Sequence, residues 1–299
     1  MKGILLVDKP AGMTSHDVVD RIRRAARMRR VGHTGTLDPA ATGLLILCLG
    51  PATRLSEHFT AKSKVYEGTM RLGVVTDSYD LDGAVVAEHP VPPLDRDAIQ
   101  AACDAFTGTI QQVPPMVSAV KVGGERLYKK ARKGQTIERE PRTVNVSAFD
   151  VLSYTPPDAA VRITCSSGTY VRSLCHDAGQ ALGCGAALAS LRRLAVGQHR
   201  VEHALPIDAL DSPEAVEAHL LAMGDALDLP AAILGESGRA ALAHGNPVSA
   251  RDLLEGCPVP QGWVQMKDRE GELLALGIVE SRGMDSWIHP KRVFIAGAP

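Results

Sequence analysis

No apolar run in the 299-residue sequence approaches the roughly 20 residues that a membrane-spanning helix needs. The opening segment, Met1-Lys2-Gly3-Ile4-Leu5-Leu6-Val7-Asp8, is apolar over too short a stretch for a signal peptide, and Asp8 ends it. A cytoplasmic protein with no membrane association is therefore expected. The six cysteines, Cys48, Cys103, Cys165, Cys175, Cys184 and Cys257, form no Cys-x-x-Cys pair, which excludes a zinc ribbon or a thioredoxin-like motif. A disulfide framework is not expected in a chain of this size without a secretory signal, so the thiols are read as buried and reduced. The ten histidines lack His-Glu-x-x-His spacing, and nothing in the sequence argues for a metal. Net charge is also nearly absent, at a formal −1.

What is present is an ordinary globular composition, 45% hydrophobic and 22% charged, in a chain long enough for one large domain or two unequal ones. The charges are unevenly spread. Met1 to Lys64 holds 11 Lys/Arg against 5 Asp/Glu, and Pro115 to Asn145 holds 8 against 3. Glu202 to Asp228 carries seven acids and no Lys or Arg. Two basic segments and one acidic segment suggest a polyanion bound on one side of the molecule. Arginine runs also serve as solvated helix faces, but six arginines between Arg21 and Arg30 exceed what solubility needs.

Gly3–Val7 reads as a buried strand, and Ser15 as the N-cap of a helix with Val18, Val19, Ile22, Ala25 and Ala26 on one face. Gly32–Gly43 reads as a loop and Leu44–Leu49 as a fully apolar strand. Further strands are expected at Tyr66–Leu72, Ala84–Ala87, Val117–Val122, Val144–Leu152 and Ala160–Cys165. Helices are expected at Arg96–Phe106, Arg126–Arg132 and Tyr170–Leu182. Strands adjacent in sequence predict an α+β fold with a mostly antiparallel mixed sheet and flanking helices. A boundary is expected near Met223–Pro230, dividing residues 1–224 from 225–299. The second unit reads as a small β-barrel: a helix at Gly238–His244, strands at Trp263–Lys267 and Leu273–Val279 around Asp268-Arg269-Glu270-Gly271, and a last strand at Val293–Ile295.

The densest chemical signal is Gly32-His33-Thr34-Gly35-Thr36-Leu37-Asp38-Pro39-Ala40-Ala41-Thr42-Gly43. Its glycines permit tight turns and close backbone approach to a ligand, and Pro39 restricts Asp38 to an extended conformation. A lone carboxylate is thus presented on a stiff loop just before a buried strand, as a nucleophile or general base requires. Taken alone, Leu37-Asp38-Pro39 equally suits an Asx-turn. The surrounding string resembles the signature of the TruB family of tRNA pseudouridine synthases. The resemblance extends to Gly3–Ser15, to Lys64-Val65-Tyr66 with Arg71-Leu72-Gly73, to Ser167–Leu174, and to Gly183-Cys184-Gly185 leading to Leu191-Arg192-Arg193. These matches run in order over nearly two hundred residues.

The resemblance implies a pseudouridine-synthase fold that converts the T-loop uridine 55 of tRNA to pseudouridine without a cofactor. Asp38 is then the catalytic carboxylate, attacking the sugar or base or promoting elimination to a glycal. Arg172 is implied to pair with Asp38 and keep it ionised. Tyr66 is implied to stack on the flipped base, with Tyr170 and Leu191 among the substrate-binding residues. His33 is implied to fill the space that the extruded uridine vacates. Lys9 is given a structural or phosphate contact and no chemistry. Ser118–Gly134, within residues 115–145, resembles the family's RNA-gripping insertion. Its cations Lys121, Arg126, Lys129, Lys130, Arg132 and Lys133, with Lys64, are expected on phosphates. His244–Val248 and Ile288–Val293 resemble a PUA domain, implied to contact the acceptor end of tRNA. No obligate protein partner is expected, and a monomer suffices. Two other readings are a catalytically silent RNA-binding or tRNA-folding protein on the same fold, and an N-glycoside hydrolase using Asp38. The first requires loss of Asp38, Tyr66 or Arg172, and the second has no need of two basic segments.

Overall fold

The computed structural model describes residues 1–116, 121–122, 125–126, 139–255, 261–282 and 285–295. Its centre is a pair of strands whose sequences are apolar without alternation. β1 (Gly3–Lys9) and β3 (Thr42–Leu49) run antiparallel, with Gly3 opposite Leu49 and Lys9 opposite Gly43. Continuous apolar runs of this kind belong to strands covered on both faces. One face of the pair offers Leu5, Val7, Leu45 and Leu47 to Val18, Val19 and Ile22 of helix α1 (Ser15–Ala25). The other offers Ile4, Leu6, Leu44 and Ile46 to Phe59 of the short helix α2 (Ser56–Thr60), and to Leu273 and Leu276 from the C-terminal part of the chain.

The sheet extends from this centre. β2 (Val31–His33) pairs with β3; β4 is Lys64–Leu72, and β5 (Val74–Thr76) and β6 (Val85–Glu88) form a separate hairpin. β7 is Gly108–Gln112, and β8 (Lys121–Val122) and β9 (Glu125–Arg126) form a second small ladder. β10 (Arg142–Thr155), β11 (Asp158–Cys165), β12 (Ala186–Val196), β13 (His199–Arg200) and β14 (Leu205–Pro206) complete the set. The order is β14-β1-β3-β12-β4-β11-β10-β7, with β2 on β3 and β13 on β12. In this sheet, among the described residues, only β1–β14 and β12–β3 are parallel. This is the expected α+β arrangement. Helices α3 (Arg96–Asp104) and α4 (Val171–Ala181) cover β10, β11 and β4 through Ile99, Cys103, Phe149, Ile163, Leu174 and Cys175. The five described cysteines are buried and free.

The C-terminal part is a six-stranded, barrel-like sheet. β15 (Ala231–Leu234), β16 (Val248–Ser249), β17 (Leu253–Glu255), β18 (Gly262–Lys267), β19 (Leu273–Arg282) and β20 (Asp285–Val293) lie in the order β16-β20-β19-β18-β15-β17. The helix Glu236–Ala243 closes its core of Leu234, Leu242, Val264, Met266 and Ile288. Among the described residues no helix is long and apolar enough to cross a membrane.

Several expectations are corrected. Thr14, not Ser15, caps α1, accepting from Asp17 N–H while the Asp17 carboxylate accepts from Thr14 N–H. The loop expected at Gly32–Gly43 is shorter: Gly32 and His33 belong to β2, which pairs along β3, and Thr42 and Gly43 begin β3. The last strand is Asp285–Val293 rather than Val293–Ile295. Arg126 lies on a strand; the rest of the helix expected at Arg126–Arg132 lies outside the described residues, as does most of Val117–Val122. β12 is a strand that the sequence does not announce. Register shifts at Leu188/Ser190 and Arg193/Ala195 break its alternation, so Leu188, Leu191 and Leu194 recur every third residue and mask the strand.

Candidate active site

Asp38 lies in the segment joining β2 to β3, and that segment is clamped at alternate residues. The buried guanidinium of Arg193, on β12, donates to Gly35 O at 3.1 Å and to Leu44 O at 2.7 Å. Ser15, 2% exposed in the first turn of α1, accepts from Leu37 N–H at 2.8 Å and donates to Leu37 O at 3.2 Å. Lys9, fully buried at the end of β1, donates to Pro39 O at 3.1 Å and to Pro10 O at 2.8 Å, while Gly12 N–H donates to Pro39 O at 2.9 Å. The N-terminal segment therefore acts on the loop from beneath, and Lys9 takes the structural of the two roles read for it. Its burial costs the ammonium enough to lower its pKa to about 8, although Asp38 pulls the other way.

Opposite the loop stands Arg172, in the first turn of α4 with its side chain 5% exposed. Nε lies 3.2 Å from Asp38 Oδ2, and Nη1 lies 3.0 Å from Asp80 Oδ2 and 3.1 Å from Ser78 O. One guanidinium thus spans two carboxylates. Asp80 is carried on the turn between β5 and β6, where Ser78 Oγ donates to its Oδ1 at 2.6 Å and Thr76 Oγ1 to its backbone oxygen at 2.6 Å. Asp38, Asp80, Leu81, Asp82, Arg172, Leu188 and Leu191 line a cleft whose free volume, ≈ 30 Å³, holds a water rather than a uracil ring. The Asp38 side chain is 45% exposed, so an incoming group reaches it from the open side.

Arg172 favours the ionised carboxylate, but burial opposes it more strongly, and the charges of Asp80 and Asp82 add to burial. The pKa of Asp38 is therefore raised above the ordinary carboxylate value.

The other expected residues fall into three groups. Leu191, on β12, lines the cleft beside Asp38. Tyr66 lies on β4, directly across from Arg193 in the β4–β12 register and hydrogen-bonded to it; burial raises the phenol's pKa against the pull of Arg193. His33 ends β2, half-buried rather than on an exposed loop. Its Nδ1 accepts a long 3.4 Å bond from Gly35 N–H, and burial lowers its pKa, which favours the neutral ring. Tyr170 is the residue preceding α4, its backbone N–H and oxygen both bound by the Gln112 amide at 2.8 and 3.0 Å. The expectation of a phosphate contact at Lys64 is corrected. Lys64 is 6% exposed, its ammonium donates inward to Thr60 O and Lys62 O, and burial lowers its pKa to about 8. Lys121 and Arg126 face each other in register on β8 and β9. Lys129, Lys130, Arg132 and Lys133 lie outside the described residues.

Sequence reasoning missed Asp80 and assigned no role to Arg193. The string Thr76-Asp77-Ser78-Tyr79-Asp80-Leu81-Asp82-Gly83, dense in acids and turn formers, was the available signal for the first. For the second the sequence offered only an arginine pair, Arg192-Arg193, set between apolar residues.

Two family models match the chain. Residues 23–171 match the TruB family pseudouridylate synthase N-terminal domain, and residues 172–227 the tRNA pseudouridylate synthase B C-terminal domain. The chain is 52% identical over 212 residues to a tRNA pseudouridine synthase B of Opitutus terrae, covering 71% of this chain and 88% of the relative. It is 42% identical over 302 residues to the protein of that name from Burkholderia pseudomallei, covering 100% and 98%. Among solved structures it is similar to a Cbf5-Nop10-Gar1 complex chain, with a TM-score of 0.75, 27% identity, and 99% and 85% coverage. It is also similar to a chain of an H/ACA RNP bound to a substrate RNA containing 2′-deoxyuridine, with a TM-score of 0.74, 26% identity, and 99% and 86% coverage.

Proposed function

The chain belongs to the TruB family of pseudouridine synthases, and on that premise we propose that Asp38 is the group through which it converts uridine 55 in the tRNA T-loop to pseudouridine. The reaction breaks the bond from N1 to C1′ and forms one from C5 to C1′. The hydrogen on C5 leaves to solvent and N1 gains a proton, so no group is added and no redox change occurs. A single carboxylate serves this chemistry, whether it attacks the nucleoside or promotes elimination to a glycal. The observation that carries the reading is Asp38 held 3.2 Å from Arg172 in a cleft walled by Leu191.

The other residues take roles consistent with their positions. Arg172 orients Asp38, and Asp80 restrains Arg172 from the far side. Tyr66 and Leu191 hold the uracil, and Tyr170 supports the entry to α4. The uridine enters the cleft from its open side, where Asp38 is exposed. The flipped nucleotide leaves a gap in the T-loop that His33 fills with a flat, neutral ring. The remaining cations of residues 115–145 grip phosphates, while Lys64 serves the fold. Residues 225–299 form the second, PUA-like unit and meet the acceptor end of the tRNA. Neighbouring solved structures contain protein partners by their names, whereas this chain is proposed to act as a cytoplasmic monomer.

Tritium release from a T-stem-loop RNA carrying 5-tritiated uridine tests the reading, with wild type and Asp38→Asn compared. Release by the wild type alone is expected. Equal release by both would remove Asp38 from the chemistry. No release by either from the stem-loop and from full tRNA would favour the silent RNA-binding alternative.

A further inference from the structure

Arg172 reaches the β5–β6 turn through two acceptors, Ser78 O and Asp80 Oδ2, both on the same nitrogen, Nη1. The residue between those acceptors is Tyr79, and its φ is +66°, a left-handed value for a non-glycine residue. That conformation is what turns the Ser78 carbonyl and the Asp80 carboxylate toward one point. A right-handed or extended Tyr79 would rotate one of them away. A bulky residue keeps such a backbone only where its surroundings fix it.

Bonds within the turn hold it locally, Thr76 Oγ1 and Ser78 Oγ both donating to Asp80, and two further contacts tie it to the rest of the fold. Tyr79 O accepts from Leu188 N–H at 2.9 Å and Leu81 N–H donates to Leu188 O at 3.0 Å, tying the turn to β12. The Tyr79 ring also stacks on His176, with centroids 3.9 Å apart and planes inclined by 18°. His176 lies on α4 four residues after Arg172, hence one turn further along the same face. Its Nδ1 is buried with no hydrogen-bond partner among the described residues, so the ring is held there by its face rather than by polar bonds. Burial also lowers its pKa, which favours the neutral ring.

We propose that the Tyr79–His176 stack is a positioning device for the reaction, locking the turn that carries Asp80 to the helix that carries Arg172. It rests on the reading of Asp38 as the catalytic group. Neither ring lines the cleft, so both act through the guanidinium and not on the substrate. α4 supplies the cation at one turn and the clamp for the cation's restraint at the next.

The test is steady-state tritium release on the T-stem-loop with His176→Ala, His176→Phe and Tyr79→Gly, each also made with Asp80→Asn, and with melting temperatures recorded. His176→Ala and Tyr79→Gly are expected to lower kcat by roughly 10- to 100-fold with KM changed less than about twofold, as misplacement of a catalytic group does. His176→Phe keeps a flat ring and restores most of kcat. In the Asp80→Asn background the two substitutions add little further loss, because the restraint they serve is already gone. Wild-type kcat in His176→Ala, a loss confined to KM, failure of His176→Phe to rescue, or full additivity with Asp80→Asn would each overturn the proposal. Failure of the parent reading shows separately, as an active Asp38→Asn enzyme, and the proposal falls with it.

Discussion

Ionising Asp38 is unfavourable in the folded chain relative to water, because burial and the carboxylates of Asp80 and Asp82 exceed the pull of Arg172. A folded-state pKa raised above the unfolded value means that the contribution to stability is fully present below the unfolded pKa. It is lost as pH rises through the folded one. At neutral pH the ionised group therefore works against the fold. Asp38→Asn is expected to cut turnover by more than about three orders of magnitude and to leave RNA affinity within a few-fold. Kinetics and binding on one preparation check both. Asp80→Asn removes a negative neighbour, so the Asp38 pKa falls toward its ordinary value. The acid limb of the kcat profile then moves to lower pH, while the plateau drops because Arg172 loses one of its acceptors. A limb that stayed in place would show that Asp38 is not the titrating group. The identity of Asp38 was readable from Leu37-Asp38-Pro39 and its glycines. The direction of its pKa shift was not, since burial is made by residues distant in sequence.

At the scale of elements, the Asp38 loop is a short connection whose conformation is imposed by three neighbours. Ser15 contributes twice to it, through both backbone groups of Leu37. Ser15→Ala leaves a buried N–H and a carbonyl without that partner. It is expected to cost about 1–3 kcal/mol in urea unfolding and to lower kcat more than it raises KM. Wild-type kcat in that variant would show that the loop is fixed without α1. Gly43 closes the other end of the loop: its φ is +97°, and an added Cβ would lie 2.3 Å from Arg193 O. Gly43→Ala is expected to lose at least about 2 kcal/mol of stability, measured by the same unfolding curves. β1, β3 and α1 were legible because uninterrupted apolar runs and a 3.6-residue period leave few alternatives. The cap of α1 reads one residue late because Thr14 and Ser15 are both good caps, and only the fold turns Ser15 inward. β12 escapes because two bulges convert its alternation into a three-residue spacing.

At the scale of the whole molecule, the net charge of −1 conceals a separation of basic and acidic segments. Replacing Lys129, Lys130, Arg132 and Lys133 together by alanine is expected to weaken tRNA binding at low salt and to flatten its salt dependence. The slope of log K against log salt falls by up to about one for each phosphate that is no longer neutralised. An unchanged slope would take this segment out of the RNA interface. The two sheets do not stand apart: Leu273 and Leu276 share a core with Ile4, Leu6 and Phe59, and Arg54 donates to Val293 O at 2.6 Å. The sequence by itself determined the family, the α+β class, the central strands and the loop that presents Asp38. Each of these is written in residues close together, where local backbone preference and apolar period act directly. Tertiary structure alone decided that Arg172 is shared between Asp38 and Asp80, that Lys64 and Lys9 turn inward, that Arg193 holds the loop, and that Tyr79 meets His176. Those interactions join residues up to 158 positions apart, as from Gly35 to Arg193. Their energies depend on burial, which no local stretch of chain can specify.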